Sequence, residues 1–527
     1  MRGGEDRGDG CATAPHDPRA RSLGTGDPLL KDARVTGLRR VLGNTSAMLI
    51  SQAVTWTATV VLTAALGRQL GAAGFGEIYL AITFALIFGI LVEFGLDQQL
   101  TRAVARQPGL AGPYLANALV IKLAMSVLAY ALVYVVVGSL GYPAELRAII
   151  AVVCLLLLPN GISTSLTAVY QGRENLVYPA AATALEKVLL AVLAIALLAI
   201  DAGPVLVGGA FVVSSAASVL FKLIFLRRLV KVEWRPQRVV MRSLIVGALP
   251  FLVTAILGAI YYRTDVVILS KLGSPEVVGW YAAAYRLFDT LVFMPSIVVG
   301  AVMLPIMSRL SVISRGELAR VVRRGIDMML ILGVPTCVGL FMLAEPIVLA
   351  IYGRAEFLPT ASALRWLAPG LLVLYVNSVL AATLVSIDRE RRMTIISALA
   401  VPVSVGLNLM LIPQFQHTGA AAVKTAIEVM ILGCLLLNVP RDVLGGASLR
   451  VLWKTAVASG AMCAVVFLLG SQHLGVLVLS GIGTYVVAGI ALRLIPDDDL
   501  RALRGALVRQ DPLVRAAEHE PVPPVNA

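Results

Sequence analysis

Charge is what this sequence is short of. Only 14% of its 527 residues are Asp, Glu, Lys or Arg, while 58% are hydrophobic, so the chain has too little polar surface to cover a single soluble core. Histidine is scarcer still: His16, His417, His473 and His519 are the only four, all in tails or short turns with no partner nearby. Five cysteines show no metal-like spacing, and Cys154, Cys337, Cys434 and Cys463 fall in apolar stretches, where a small buried hydrophobe is the default. No Gly-Lys-Ser/Thr phosphate loop occurs, so this chain does not use ATP. Residues 1–40 hold no apolar run long enough for a signal-peptide core.

What the chain does have is apolar segments near 20 residues long, one after another, with a mean hydropathy of +0.86. Only helices can use such lengths to span a bilayer. They fall at about 44–66, 78–98, 115–138, 148–169, 178–200, 204–226, 244–266, 278–306, 326–350, 366–386, 394–413, 417–438, 452–470 and 475–492. The predicted fold class is therefore all-α, a polytopic membrane protein of about fourteen transmembrane helices. Assigned alternately to two sides, the connections on one side and the tails hold most of the 44 Lys and Arg, and those on the other hold only five. That asymmetry predicts a cell-membrane protein with both termini cytoplasmic. It also removes the nucleic-acid reading of the net charge of +13, because the cations sit at helix ends on alternate sides.

One stretch organises the rest. From Pro250 to Leu310 an apolar segment ends in Tyr262-Arg263-Thr264-Asp265, a short link Leu272-Gly273-Ser274-Pro275-Glu276 follows, and a second segment carries Arg286 and Asp289. Ser274 suits a cap, Pro275 the first helical position and Glu276 the positive end of the dipole, so a new helix starts near residue 275. The first hairpin carries a related pattern: Leu70-Gly71 leads to Gly76 and Tyr79-Leu80-Ala81, and Leu272-Gly273 leads to Gly279 and Tyr281-Ala282-Ala283, about 202 residues later. The repeat predicts a cytoplasmic tail over 1–40, disordered, then a six-helix half over 41–242, a second over 243–440, two further helices within 441–493 and a cytoplasmic tail over 494–527.

The residues of that stretch resemble the polysaccharide and oligosaccharide flippases, a branch of the multidrug, oligosaccharide-lipid and polysaccharide exporter superfamily. Arg263 and Asp265, Leu272-Gly273, then Gly279, Tyr281, Ala284, Tyr285 and Arg286, then Leu304-Pro305 and Ser308-Arg309 carry the likeness. Glu93-Phe94-Gly95-Leu96-Asp97 with Thr101-Arg102, Tyr352-Gly353-Arg354, and Leu407-Asn408 through Pro413 extend it over about residues 40–440. Lys424 departs from the small or polar residue that the resemblance leads one to expect.

Charges within spans cost about 2.5–3.5 kcal/mol each on insertion scales, so each needs a cavity, a partner or an interface. A cationic cavity suits phosphate, because the guanidinium is a planar, always-charged fork. The bland alternative is a cation snorkelling to headgroups. Snorkelling is the expectation for Arg68, Lys122 and Lys222, with a cavity role the alternative that keeps Arg68 among the candidates. The cavity is the expectation for Arg286, which lies about 16 Å past Pro275 at 1.5 Å per residue. Arg263 fits either, since Asp265 or Asp289 can pair with it. The candidate substrate-binding residues are thus Arg286, Arg263, Asp289, Tyr285 and Arg68. Glu428 and Glu186 are the candidates for ion coupling, although Glu186 adjoins Lys187 and Glu428 lies four residues after Lys424, at ion-pair spacing, so a structural pair competes with that role for both.

No outward connection exceeds about 20 residues, too little for the catalytic loop that enzymes acting on lipid-linked sugars usually carry. The resemblance implies a non-enzymatic transporter without cofactor or metal: a flippase moving a polyprenyl-(pyro)phosphate-linked glycan from the inner to the outer leaflet. Its partners would be that glycan, membrane lipid, and a polysaccharide polymerase and glycosyltransferases. A lipid II flippase, an ion-coupled drug antiporter and a noncatalytic membrane scaffold stay open as alternatives.

Overall fold

The computed structural model describes residues 28–227, 237–444, 449–470 and 472–494, and every regular element among them is helical. In chain order they are α1 (Pro28–Glu93), α2 (Leu96–Arg106), α3 (Ala111–Ser139), α4 (Ala144–Cys154), α5 (Leu157–Gly172), α6 (Val177–Ala199), α7 (Gly203–Leu226), α8 (Arg238–Leu272) and α9 (Pro275–Pro295). Then come α10 (Leu304–Ile313), α11 (Arg315–Met342), α12 (Ala344–Tyr352), α13 (Thr360–Ser386), α14 (Glu390–Asn438), the short α15 (Arg441–Leu444), α16 (Leu449–Leu468) and α17 (Leu474–Ala491).

Ten helical stretches among the described residues are long and apolar enough to cross a membrane. Two of the ten turn back on themselves: α1 at Gly71 (φ 70°) and α14 at Gln416 (φ 48°), so each contains two of the expected segments. Gly71 needs its missing Cβ, because a positive φ there would strain a side chain. Helix α8 and the run from α9 through α10 cover the remaining two expected segments. Helix α1 begins at Pro28, inside the stretch read as a disordered tail; residues 1–27 and the tail from 495 lie outside the described residues.

Prolines shape the helices locally. Pro295 has no N–H to give to the Leu291 carbonyl, and that oxygen instead accepts from the Tyr375 hydroxyl of α13 at 2.9 Å. The next eight residues, Ser296–Met303, continue as a π-helix, a wider coil frequent at functional sites.

Two apolar clusters hold the helices around α8 together, and a small third, Leu343 with Met462, Val466 and Leu477, ties in α16 and α17. Leu96, Leu100 and Val104 of α2 pack with Leu166, Val169 and Tyr170 of α5 and with Leu244 and Ala248 of α8. The larger cluster joins α1, α9, α13 and α14 and takes in Val266 and Leu269 of α8. Helix α8 therefore belongs to both clusters, one at each end.

A close backbone approach lies between the two repeated hairpins. A Cβ on Gly279 would sit 1.9 Å from the Ala72 carbonyl oxygen, and one on Gly76 would sit 2.4 Å from the Pro275 oxygen. Glycine at both places lets α1 and α9 touch along bare backbone.

Candidate functional site

Beneath that crossing, α1, α8, α9, α13 and α14 bring a ring of tyrosines and charges together. Three residues of α8 start it. Arg263 donates from Nη1 to the Tyr79 hydroxyl at 2.9 Å, its Nη2 lies 3.5 Å from Asp289, and its guanidinium stands 5.5 Å from the Tyr285 ring centre. Asp265, only 4% exposed, accepts from the Tyr281 hydroxyl at 2.5 Å and from the Val266 N–H at 2.8 Å. Tyr261 donates to Glu428 at 2.5 Å. A buried carboxylate needs such donors, since unpaired charge in an apolar interior is costly.

Helix α14 contributes Lys424 and Glu428, both buried. Their expected ion pair does not form. Glu428 takes Tyr261 on one oxygen and Asn377 of α13 on the other, at 2.9 Å. Lys424 rests its ammonium on ring faces, 3.9 Å from the centre of Tyr261 and 4.2 Å from that of Tyr262. Its Nζ has no hydrogen-bond partner, and neither has Asn377 Oδ1.

Arg286 is half-buried on α9 and, among the described residues, its guanidinium has no hydrogen-bond or ion-pair partner. Asp289, three residues on, is committed to Arg263 instead. Arg286 lies within electrostatic reach of Tyr79, Tyr352 and Asp289, so its cation borders this ring. An arrangement with Arg263, Arg286 and Lys424 against Asp265, Asp289 and Glu428, lined by tyrosine hydroxyls, can accept an anionic oxygen cluster without moving a buried ion pair into lipid.

The remaining candidates lie elsewhere. Arg68 ends its helix against α12, giving Nε and Nη2 to the carbonyls of Ile351 and Ala350 at 3.0 and 2.8 Å; it is exposed and fastens a helix end. Glu186 and Lys187 bond to each other at 3.0 Å, as their adjacency suggested. Lys122 and Lys222 do not snorkel, because polar partners reach them in the interior. Lys122, 1% exposed, holds Asp97 and Thr164 at 2.6 Å each; Lys222 donates to the Ser163 hydroxyl at 2.6 Å.

Tyr79, Tyr261 and Asn377 escaped sequence reasoning. Tyr79 had a signal, since it stands where Tyr281 stands in the second repeat. Tyr261 and Asn377 had none, because their partner Glu428 is more than 50 residues away in sequence.

Comparison with known proteins places this geometry in a family. The model of the family described as polysaccharide biosynthesis protein matches residues 41–311, just over half of the chain, and the MatE model matches residues 250–410. A probable lipid II flippase MurJ of Bdellovibrio bacteriovorus is 26% identical over 262 residues, covering 48% of this chain and 49% of that one. A second, from Haemophilus influenzae, is 27% identical over 220 residues, 38% and 42% of the two chains. The chain thus spans half or less of the curated relatives it matches. Among solved structures, a lipid II flippase MurJ in an inward closed conformation superposes with a TM-score of 0.69 at 16% identity, over 85% of this chain and 98% of that one. An inward-facing multidrug transporter of the MATE family reaches 0.55 at 17% identity, over 77% and 99%. Those identities speak for the fold, while the family model speaks for descent. This multi-pass helical membrane protein belongs to the polysaccharide biosynthesis protein family.

Proposed function

We propose that the protein is a flippase for polyprenyl-linked oligosaccharide or polysaccharide repeat units, carrying them from the inner to the outer leaflet. The observation that carries this reading is the half-buried, unpartnered Arg286 beside the Arg263–Asp289 pair and the tyrosine ring. An anionic head is the chemistry that such a cation accepts, and the lipid tail stays in the bilayer. Arg263, Asp289 and Tyr285 line the same place, whereas Arg68 of α1 lies outside it, bonded to the end of α12. An inside-negative potential itself favours the outward movement of an anion, by about 2.3 kcal/mol per charge per 100 mV.

The two six-helix halves, 41–242 and 243–440, are the units between which the sugar sits, with both termini cytoplasmic. Support comes from the crossing of the repeated hairpins at Gly76 and Gly279. Glu428 and Glu186 enter as candidates for ion coupling, with Glu428 favoured because it borders the tyrosine ring. A polymerase and glycosyltransferases are the protein partners this activity implies.

The test is a cell in which the gene is deleted. Lipid-linked glycan should accumulate on the cytoplasmic leaflet while surface polymer disappears, and the wild-type gene should reverse both. Unchanged surface polymer with altered drug resistance would move the assignment to an antiporter, and accumulation of the peptidoglycan precursor would move it to a lipid II flippase.

A further inference from the structure

Lys424 and Glu428 stand four residues apart on one helix, the spacing at which opposite charges pair, and both are buried. In so apolar a setting their attraction is stronger than at a surface. Yet they are separate, and one residue accounts for it. Tyr261 gives its hydroxyl to Glu428 and its ring face to Lys424.

We infer that Tyr261 is a positioning residue that keeps Glu428 off Lys424, so that the Lys424 ammonium stays available to a phosphate or diphosphate ester. A ring holds a cation without using its N–H groups. All three donors of Lys424 therefore remain unused, since Nζ has no hydrogen-bond partner. The other oxygen of Glu428 accepts from Asn377. Of the two rings nearest the Lys424 ammonium, Tyr262 is the more open, at 41% exposed. Lys424 is within electrostatic reach of Glu428 and Asp265 and, less strongly, of Asp289, the carboxylate on which Arg263 and Arg286 act as well. Phosphate oxygens would then draw Lys424 off the rings, while Glu428 stays on Tyr261.

The inference rests on the flippase reading and needs a test in which the two fail differently. The full-length protein, purified in detergent, is titrated calorimetrically with geranyl diphosphate, with geraniol as the uncharged control. Wild type should bind the diphosphate and not the alcohol. Tyr261→Phe frees Glu428 to capture Lys424 and should weaken binding about tenfold, the scale of one charge-assisted hydrogen bond. Glu428→Gln added to Tyr261→Phe should restore affinity to within about twofold of wild type, a rescue that a merely structural tyrosine would not give. Lys424→Met should lose as much as Tyr261→Phe.

No binding by wild type overturns the flippase reading together with the inference. Binding by wild type with unchanged affinity in Lys424→Met overturns the inference alone, and so does a Tyr261→Phe defect that Glu428→Gln leaves in place. Should Tyr261→Phe fail to fold, Lys424→Met against Lys424→Arg decides: equal affinities in the two overturn the inference, and retention in Arg with loss in Met supports it.

Discussion

Tyr79 and Tyr281 occupy matching places in the two repeated hairpins, and each holds one charge of the same short turn on α8. Tyr79 accepts from Arg263 at 2.9 Å, while Tyr281 donates to Asp265 at 2.5 Å. The two roles are not equivalent in energy. Arg263 keeps Asp289 and the Tyr285 ring if Tyr79 loses its hydroxyl, whereas Asp265 is fully enclosed and depends on Tyr281. Tyr281→Phe should therefore destabilise the protein by about 1–3 kcal/mol, and Tyr79→Phe by clearly less. Thermal unfolding of the purified variants in one detergent checks the order, and an equal or reversed ranking would contradict it.

Arg286 is expected to be needed for transport and not for folding, because nothing among the described residues is left unpaired by its removal. Arg286→Ala should abolish most export at normal membrane levels, and Arg286→Lys should keep a part of it, since the charge remains but the fork is lost. Asp289→Ala added to Arg286→Ala should give no rescue, as Asp289 pairs with Arg263. Restored export in the double variant would make Arg286 a structural partner after all. Surface polymer and membrane abundance are the two measurements.

The glycine crossing makes a prediction about packing. Gly279→Ala would place a methyl 1.9 Å from the Ala72 oxygen, and Gly76→Ala would place one 2.4 Å from the Pro275 oxygen. Backbone cannot rotate out of the way as a side chain can, so each change should cost about 1–3 kcal/mol. The double variant should cost less than the sum, because the first shift already opens the contact that the second needs. Strict additivity in the melting of the three variants would mean that the two glycines serve separate contacts.

Lys122 and Asp97 form a pair in which the lysine is almost wholly enclosed. Lys122→Met strands the Asp97 carboxylate and should destabilise by about 3–5 kcal/mol, while adding Asp97→Asn should recover a good part of that loss. Low expression of the single variant with recovery in the double one would satisfy the prediction in cells. A single variant as stable as wild type would show that Lys122 had water to fall back on, as snorkelling requires.

Replacing all five cysteines with Ala or Ser should leave export substantially intact, since Cys154 is a buried packing residue and the other described ones are free thiols with no partner chemistry. Loss of transport at normal abundance would assign a role to at least one of them.

The sequence by itself determined the class and the helical spans, and it singled out several residues that the structure brings together. Apolar runs of bilayer length admit only helices, because no water is there to satisfy a backbone left open. The Arg263-Thr264-Asp265 turn, the Arg286–Asp289 spacing and the repeat of Leu70-Gly71 in Leu272-Gly273 were legible for the same reason: their meaning lies in neighbours along the chain. Partner choice was not. Asp289 sits three residues from Arg286 on one face, yet it pairs with Arg263 of another helix. Lys424 and Glu428 have ideal spacing, yet a tyrosine from α8 comes between them. Arg68, Lys122 and Lys222 stand at helix positions that suggest headgroups, yet carbonyls and hydroxyls from other helices reach them first. In each case local spacing fixes only which charges can meet. Which of them do meet depends on the helices that packing brings alongside, and in an apolar interior the nearest well-aimed donor or acceptor wins, since no water competes for it.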